Sequence, residues 1–138
     1  MHSYEFLDHT ADLYLRARAD SLAELLTACG EAMFGVLVEG GKVAETTSIE
    51  VELEAEDAEE LVHAWLRELL FRFDAEHLVL RRFEVHEATP NRLRATCLGE
   101  PFHPTRHQGG TEIKAVTYHG FSVAHTPDGW VAEVLFDI

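Results

Sequence analysis

Basic side chains are scarce in this chain: 138 residues carry 11 Lys plus Arg against 25 Asp plus Glu, a formal charge of −14. So acidic a protein is not built to hold nucleic acid by neutralising phosphates, and a basic protein partner suits it better. Cysteine is limited to Cys29 and Cys97. Both fall on the apolar face of their expected elements, so they read as small buried hydrophobes rather than a disulfide framework. No apolar run approaches the roughly 20 residues that cross a bilayer. The start, Met1-His2-Ser3-Tyr4-Glu5, lacks the basic segment and apolar core of a secretory signal. A soluble, cytoplasmic protein without a membrane partner is expected. Internal repeats, low-complexity stretches and linkers are also missing, and 138 residues are enough to bury a core without staples. One domain, 1–138, is the expectation.

What is present is strong periodicity. Leu22, Leu25, Leu26, Cys29, Met33, Val36 and Leu37 recur at helical spacing, and Ser21 followed by Glu24 matches a capping box. A helix over 22–37 follows, weakened by Gly30 and Gly35. Leu61, Val62, Trp65, Leu69 and Phe73 make a second stripe. Asp57 is its expected N-cap, and Glu59 and Glu60 suit the positive end of its dipole. Ile49, Val51 and Leu53 alternate with Glu50, Glu52 and Glu54, the pattern of a sheet with one wet face. Hairpins are expected across Thr89-Pro90-Asn91 and across Thr126-Pro127-Asp128-Gly129, with further strands near 4–7 and 13–17. The class is α+β, a largely antiparallel sheet with two main helices packed on one face. Residues 102–110, rich in Pro, His and Gly, form the longest expected loop.

Acids cluster as well. Residues 45–60 hold eight of them and no Lys or Arg, which reads first as a solvated face. Asp12 and Asp137 each sit at the end of an apolar element, Asp137 closing the run Trp130-Val131-Ala132-Glu133-Val134-Leu135-Phe136. Something cationic should meet Asp137, and the two chain ends are expected to share one site. Hard cations such as Ca²⁺ take several oxygen ligands, and the Ile138 carboxylate would be a third donor. A turn or cap role for Asp12 and a salt bridge for Asp137 are the plainer alternatives. Lys114, one of only two lysines, lies in the apolar segment Glu112-Ile113-Lys114-Ala115-Val116, where it could meet a carboxylate or an anionic ligand, or simply snorkel from an edge. His103 and His107 have zinc-compatible spacing but no paired thiols nearby. Gly40-Gly41-Lys42 lacks the rest of a phosphate-binding loop and reads as a turn. No nucleophile beside a base, and no carboxylate pair suited to acid–base catalysis, can be assembled from spacing.

Three blocks carry a resemblance. Phe6-Leu7-Asp8-His9-Thr10-Ala11-Asp12, Glu112-Ile113-Lys114-Ala115-Val116-Thr117-Tyr118-His119-Gly120 and Gly129-Trp130-Val131-Ala132-Glu133-Val134-Leu135-Phe136-Asp137-Ile138 resemble the signature blocks of the archease family, in the family order. Ala64-Trp65-Leu66 and Gly99-Glu100 extend the likeness through the middle, so it spans essentially the whole chain. The resemblance implies a non-catalytic accessory protein that activates an RtcB-type tRNA-splicing RNA ligase, promoting its guanylylation and multiple turnover. RNA would be met only through that ligase. It also implies a divalent cation, commonly Ca²⁺, at positions matching Asp12, Asp137 and Ile138. The family's functional lysine matches Lys114, with His9, Thr10 and Thr117 as further partner or activation residues. A second class is a general chaperone or solubility partner of an RNA-modifying enzyme such as a tRNA methyltransferase. A third, a metal-dependent hydrolase, is disfavoured by the few ligands and the missing base.

Overall fold

The computed structural model describes residues 1–7 and 12–138. Helix α1 (Leu22–Leu37) starts where Ser21 accepts the Glu24 amide at 3.2 Å. The reciprocal half of the capping box is redirected, because the Glu24 carboxylate meets the Met1 ammonium at 2.7 Å. Helix α2 (Ala58–Glu76) is capped by Asp57, which accepts the Glu60 amide at 2.8 Å. It ends on His77 in the left-handed region (φ 56°), whose N–H donates to the Phe73 carbonyl at 3.0 Å. No helix is long and apolar enough to cross a membrane among the described residues.

The strands divide over three antiparallel sheets. In the first, β1 (His2–Leu7) pairs β2 (Asp12–Ala19), and β2 pairs β10 (Gly129–Asp137), which also takes β8 (Ala115–Val116) and β9 (Ser122–Thr126) along its other edge. The second has β6 (Arg92–Pro101) between β4 (Thr47–Glu54) and β5 (Leu78–Thr89). The third is the short pair β3 (Val38–Gly40) and β7 (Gln108–Gly109), so the loop expected at 102–110 is itself tied to the end of α1. Both expected hairpins form, β5–β6 across Pro90-Asn91 and β9–β10 across Pro127-Asp128. Each helix touches strands of both larger sheets. The fold is α+β, as the residue pattern requires.

Leu15, Leu25, Leu26, Met33, Trp65, Leu69, Leu80 and Phe136 are among the fully buried side chains that join the two helices to the two larger sheets. Trp65 is wholly buried and its indole N–H donates to the Leu26 carbonyl at 2.8 Å, a satisfied polar handle inside an apolar wall. Gly30 has a packing reason: a Cβ there would stand 3.1 Å from the Phe83 ring, and that ring lies edge-on to Trp65. Cys29 and Cys97 are buried and free, and burial pushes both thiols up to about 12, which leaves them unreactive.

The acid run is a wet face, as the alternation suggests. Glu50, Glu52 and Glu54 are exposed on β4, and the register sets Arg94 opposite Glu52 and Arg92 opposite Glu54. Opposite charges in direct cross-strand pairs stabilise a sheet modestly. Replacing the α2 cap, Asp57→Ala, should lower stability by about 1 kcal/mol, read as a reduced urea midpoint with an unchanged slope.

Candidate functional site

The pairing of β2 with β10 brings the two chain ends together. Trp130 faces Ala19 at one end of the ladder and Asp137 faces Asp12 at the other. Side chains alternate along a strand and directly paired residues share a face. Phe136, its partner Leu13 and its other partner Val116 lie on the core side. Asp12, Asp137 and Ala115 therefore share the outer face.

Two carboxylates directly opposite are unfavourable, their Cβ atoms being about 4.5–5.5 Å apart in such pairs. The rest of this face shows the usual remedy. Arg16 pairs with Glu133 across the same two strands, Nη2 and Nε lying 2.9 and 3.1 Å from one carboxylate oxygen, with Glu5 at 3.6 Å on the other side. The Arg16 guanidinium holds the Glu133 carboxyl below its ordinary range, helped by Tyr14. Arg16 stands four residues along β2 from Asp12, about 13 Å at strand spacing. It serves Glu133 rather than Asp137. Among the described residues no hydrogen bond or ion pair reaches the Asp137 side chain.

The structure brings Lys114 to this end of the sheet. Its backbone N–H donates to the Asp137 carbonyl at 2.7 Å and Thr117 N–H donates to the Leu135 carbonyl at 3.2 Å. The segment 114–117 is thus bound alongside β10. Lys114 is exposed, and its ammonium has no partner among the described residues. The Thr117 hydroxyl donates to the His119 carbonyl at 3.1 Å and shapes the turn that follows. Ile138 is 39% exposed beside Asp137. His9 and Thr10 lie outside the described residues.

An oxygen-only donor set of this kind suits a hard divalent cation rather than zinc. No group of three His, Cys, Asp or Glu side chains is placed for a metal among the described residues. Ligation here would therefore draw on the terminal carboxylate, main-chain carbonyls and water beside the two aspartates. The His103/His107 alternative is closed off, since His107 Nδ1 accepts the His103 N–H at 2.8 Å and Nε2 faces Glu100 at 3.1 Å.

Two buried polar centres escaped sequence reasoning. His63, on α2, lies under β8, the strand that follows Lys114: its Nε2–H donates to the Val116 carbonyl at 3.0 Å, and its ring stacks on Tyr118 at 3.7 Å. Nδ1 is buried with no partner among the described residues. Burial pushes the imidazole below its ordinary value. The second centre is Glu100, which accepts the Ala44 amide at 2.6 Å and the His107 Nε2–H at 3.1 Å and pairs with Arg106. A polar residue beside the Leu61-Val62 stripe, and an acid closing the apolar strand β6, were the available signals.

The chain has relatives in sequence and in fold. Residues 4–138 match the model of the Archease protein family. The chain is 42% identical to the protein archease of Pyrococcus abyssi, covering 100% of both chains, and 40% identical to that of Methanosarcina acetivorans, covering 98% of this chain and 95% of the relative. The solution structure of protein 1598 of Methanobacterium thermoautotrophicum superposes with a TM-score of 0.75 at 29% identity, over 98% of each chain. A Thermotoga maritima structure described as an archease and possible chaperone shares the fold, with a TM-score of 0.64 at 24% identity over 96% of this chain and 94% of that one. Fold and sequence likeness thus define a small α+β protein of the archease type. The chain belongs to the archease family.

Because burial lowers the His63 value on folding, its contribution is complete above the unfolded value of about 6.5 and is lost as pH falls through that value toward the lowered folded one. Urea unfolding at pH 7 and pH 5 should show a smaller loss of stability in His63→Phe than in the native chain.

Proposed function

We propose that this chain activates an RtcB-type RNA ligase, promoting formation of its guanylylated intermediate and repeated turnover, and that the ends of β2 and β10 are the working site. Membership of the archease family and the register pairing Asp12 with Asp137, beside Lys114, support the reading. The register carries it. Two facing carboxylates at a strand end are a poor structural choice and a good cation ligand set.

In this reading Asp12, Asp137 and the Ile138 carboxylate hold a divalent cation, Ca²⁺ by its preference for oxygen. The cation supplies fixed positive charge that neutralises the pair and orders the strand end. Lys114, fixed by its main-chain bond to Asp137, extends an unpartnered ammonium toward the ligase, with His9, Thr10 and Thr117 shaping the contact. The protein contributes no nucleophile and meets RNA only through its partner. Its net charge of −14 steers it toward a basic ligase surface.

The competing reading is a general chaperone or solubility partner. It predicts that the aspartates matter only for folding. Adding the protein in catalytic amounts to the ligase of its own organism, with GTP and metal, should accelerate guanylylation. No acceleration would end the proposal. Asp137→Asn should weaken Ca²⁺ binding about tenfold or more by calorimetry and abolish activation while leaving circular dichroism unchanged. Full activation by that variant would favour the chaperone reading.

Association with the ligase should slow as salt rises, because the Debye length contracts from about 10 Å at 0.1 M to about 3 Å at 1 M. Association rates that stay flat across this range would show that steering plays no part.

A further inference from the structure

Several cations gather around one cavity of this acidic molecule. A cavity of ≈ 540 Å³ is lined by Lys42, Val43, Ala44, Arg81, Glu100 and Arg106. Three of the chain's 11 basic residues therefore meet there against one acid. Three positive charges less one negative leave +2 in the lining, within a chain of −14. At physiological ionic strength, where the Debye length is about 8 Å, the lining rather than the distant net charge governs an ion inside it.

The cavity is built rather than incidental. Glu100 is 3% exposed, and its charge is met by Arg106, the Ala44 amide and His107. It locks the 100–107 loop to residue 44 and draws on neither Lys42 nor Arg81. Arg81 donates through Nη1 to the Val43 carbonyl at 3.2 Å, and the same nitrogen lies 3.8 Å from a Glu45 carboxylate oxygen, which leaves the Nε and Nη2 donors of its fork. Lys42 makes no hydrogen bond or ion pair among the described residues. Gly41 (φ 95°) lets this wall lie directly on the Arg106 carbonyl, where a Cβ would collide.

We infer that this cavity binds the phosphate of a nucleotide-sized small molecule. Lys42 and Arg81 take the anion as donors, while Val43 and Ala44 offer apolar surface to the organic part. The volume lies within the roughly 300–1,000 Å³ of small-molecule sites and exceeds what inorganic phosphate alone would fill. The Gly40-Gly41-Lys42 turn thereby gains a role without being a nucleotide-binding loop of the P-loop type. This inference does not depend on the cation site or on the ligase.

The probes are GMP, guanosine and inorganic phosphate, titrated into the full chain while amide NMR shifts and calorimetry are followed. GMP should bind saturably, shifting the amides of Gly41, Lys42 and Arg81, and guanosine should not. Phosphate binding as tightly as GMP would confirm the anion site and overturn its nucleotide size. Lys42→Ala and Arg81→Ala should each weaken GMP about tenfold, and Arg94→Ala, which removes an exposed charge elsewhere, should leave it unchanged. Equal loss in all three variants, or no saturation by 10 mM (roughly the weak limit of a specific site), would overturn the inference.

Discussion

The antiparallel ladder between β2 and β10 is the constraint on which the molecule depends. It joins the second and the last strand through eight residue pairs, from Trp130↔Ala19 to Asp137↔Asp12. Because side chains alternate, a slip of one residue would turn Leu15, Ala17, Val134 and Phe136 outward and bring charge into the core. All four are wholly buried. The register that satisfies the core is the same register that forces Asp12 and Asp137 face to face. The apolar side of the sheet thus fixes the chemistry of its polar side.

Polar groups inside this fold hold segments that lack regular pairing of their own. His63 fastens β8 from below through the Val116 carbonyl, while Lys114 and Thr117 amides fasten it laterally to β10. Glu100 performs the equivalent task on the opposite loop, joining residues 44, 106 and 107 at one carboxylate. Buried polar groups with several partners rigidify local geometry, and removing one partner exposes the others to a desolvation cost of about 1–3 kcal/mol. Strands as short as β3, β7 and β8 require such help, since two-residue pairings carry little stability themselves.

Charge has two different meanings on this surface. On the three-stranded sheet, acids meet Arg92 and Arg94 in register, so the eight-acid stretch is in part locally matched. At the ends of β2 and β10 acid meets acid. The same residue type therefore meets arginine on one face and a second carboxylate on another, and only the pairing partner tells the two apart.

The sequence by itself determined the local elements. Period and caps placed α1 and α2, alternation placed β4, and Pro-Asn and Pro-Asp-Gly placed both hairpins, because each of these signals acts within a few residues. Burial of both cysteines followed from the same periodicity. The signature blocks were also legible, and with them Asp12, Lys114 and Asp137 as candidates. Tertiary structure alone decided what those residues face. The partition of strands into three sheets, the opposition of Asp12 to Asp137, the placement of His63 beneath Val116, and the gathering of Lys42, Arg81 and Arg106 around one cavity all depend on contacts between residues about 20 to more than 100 apart in sequence. No local propensity encodes such separations; they are selected when the whole core closes.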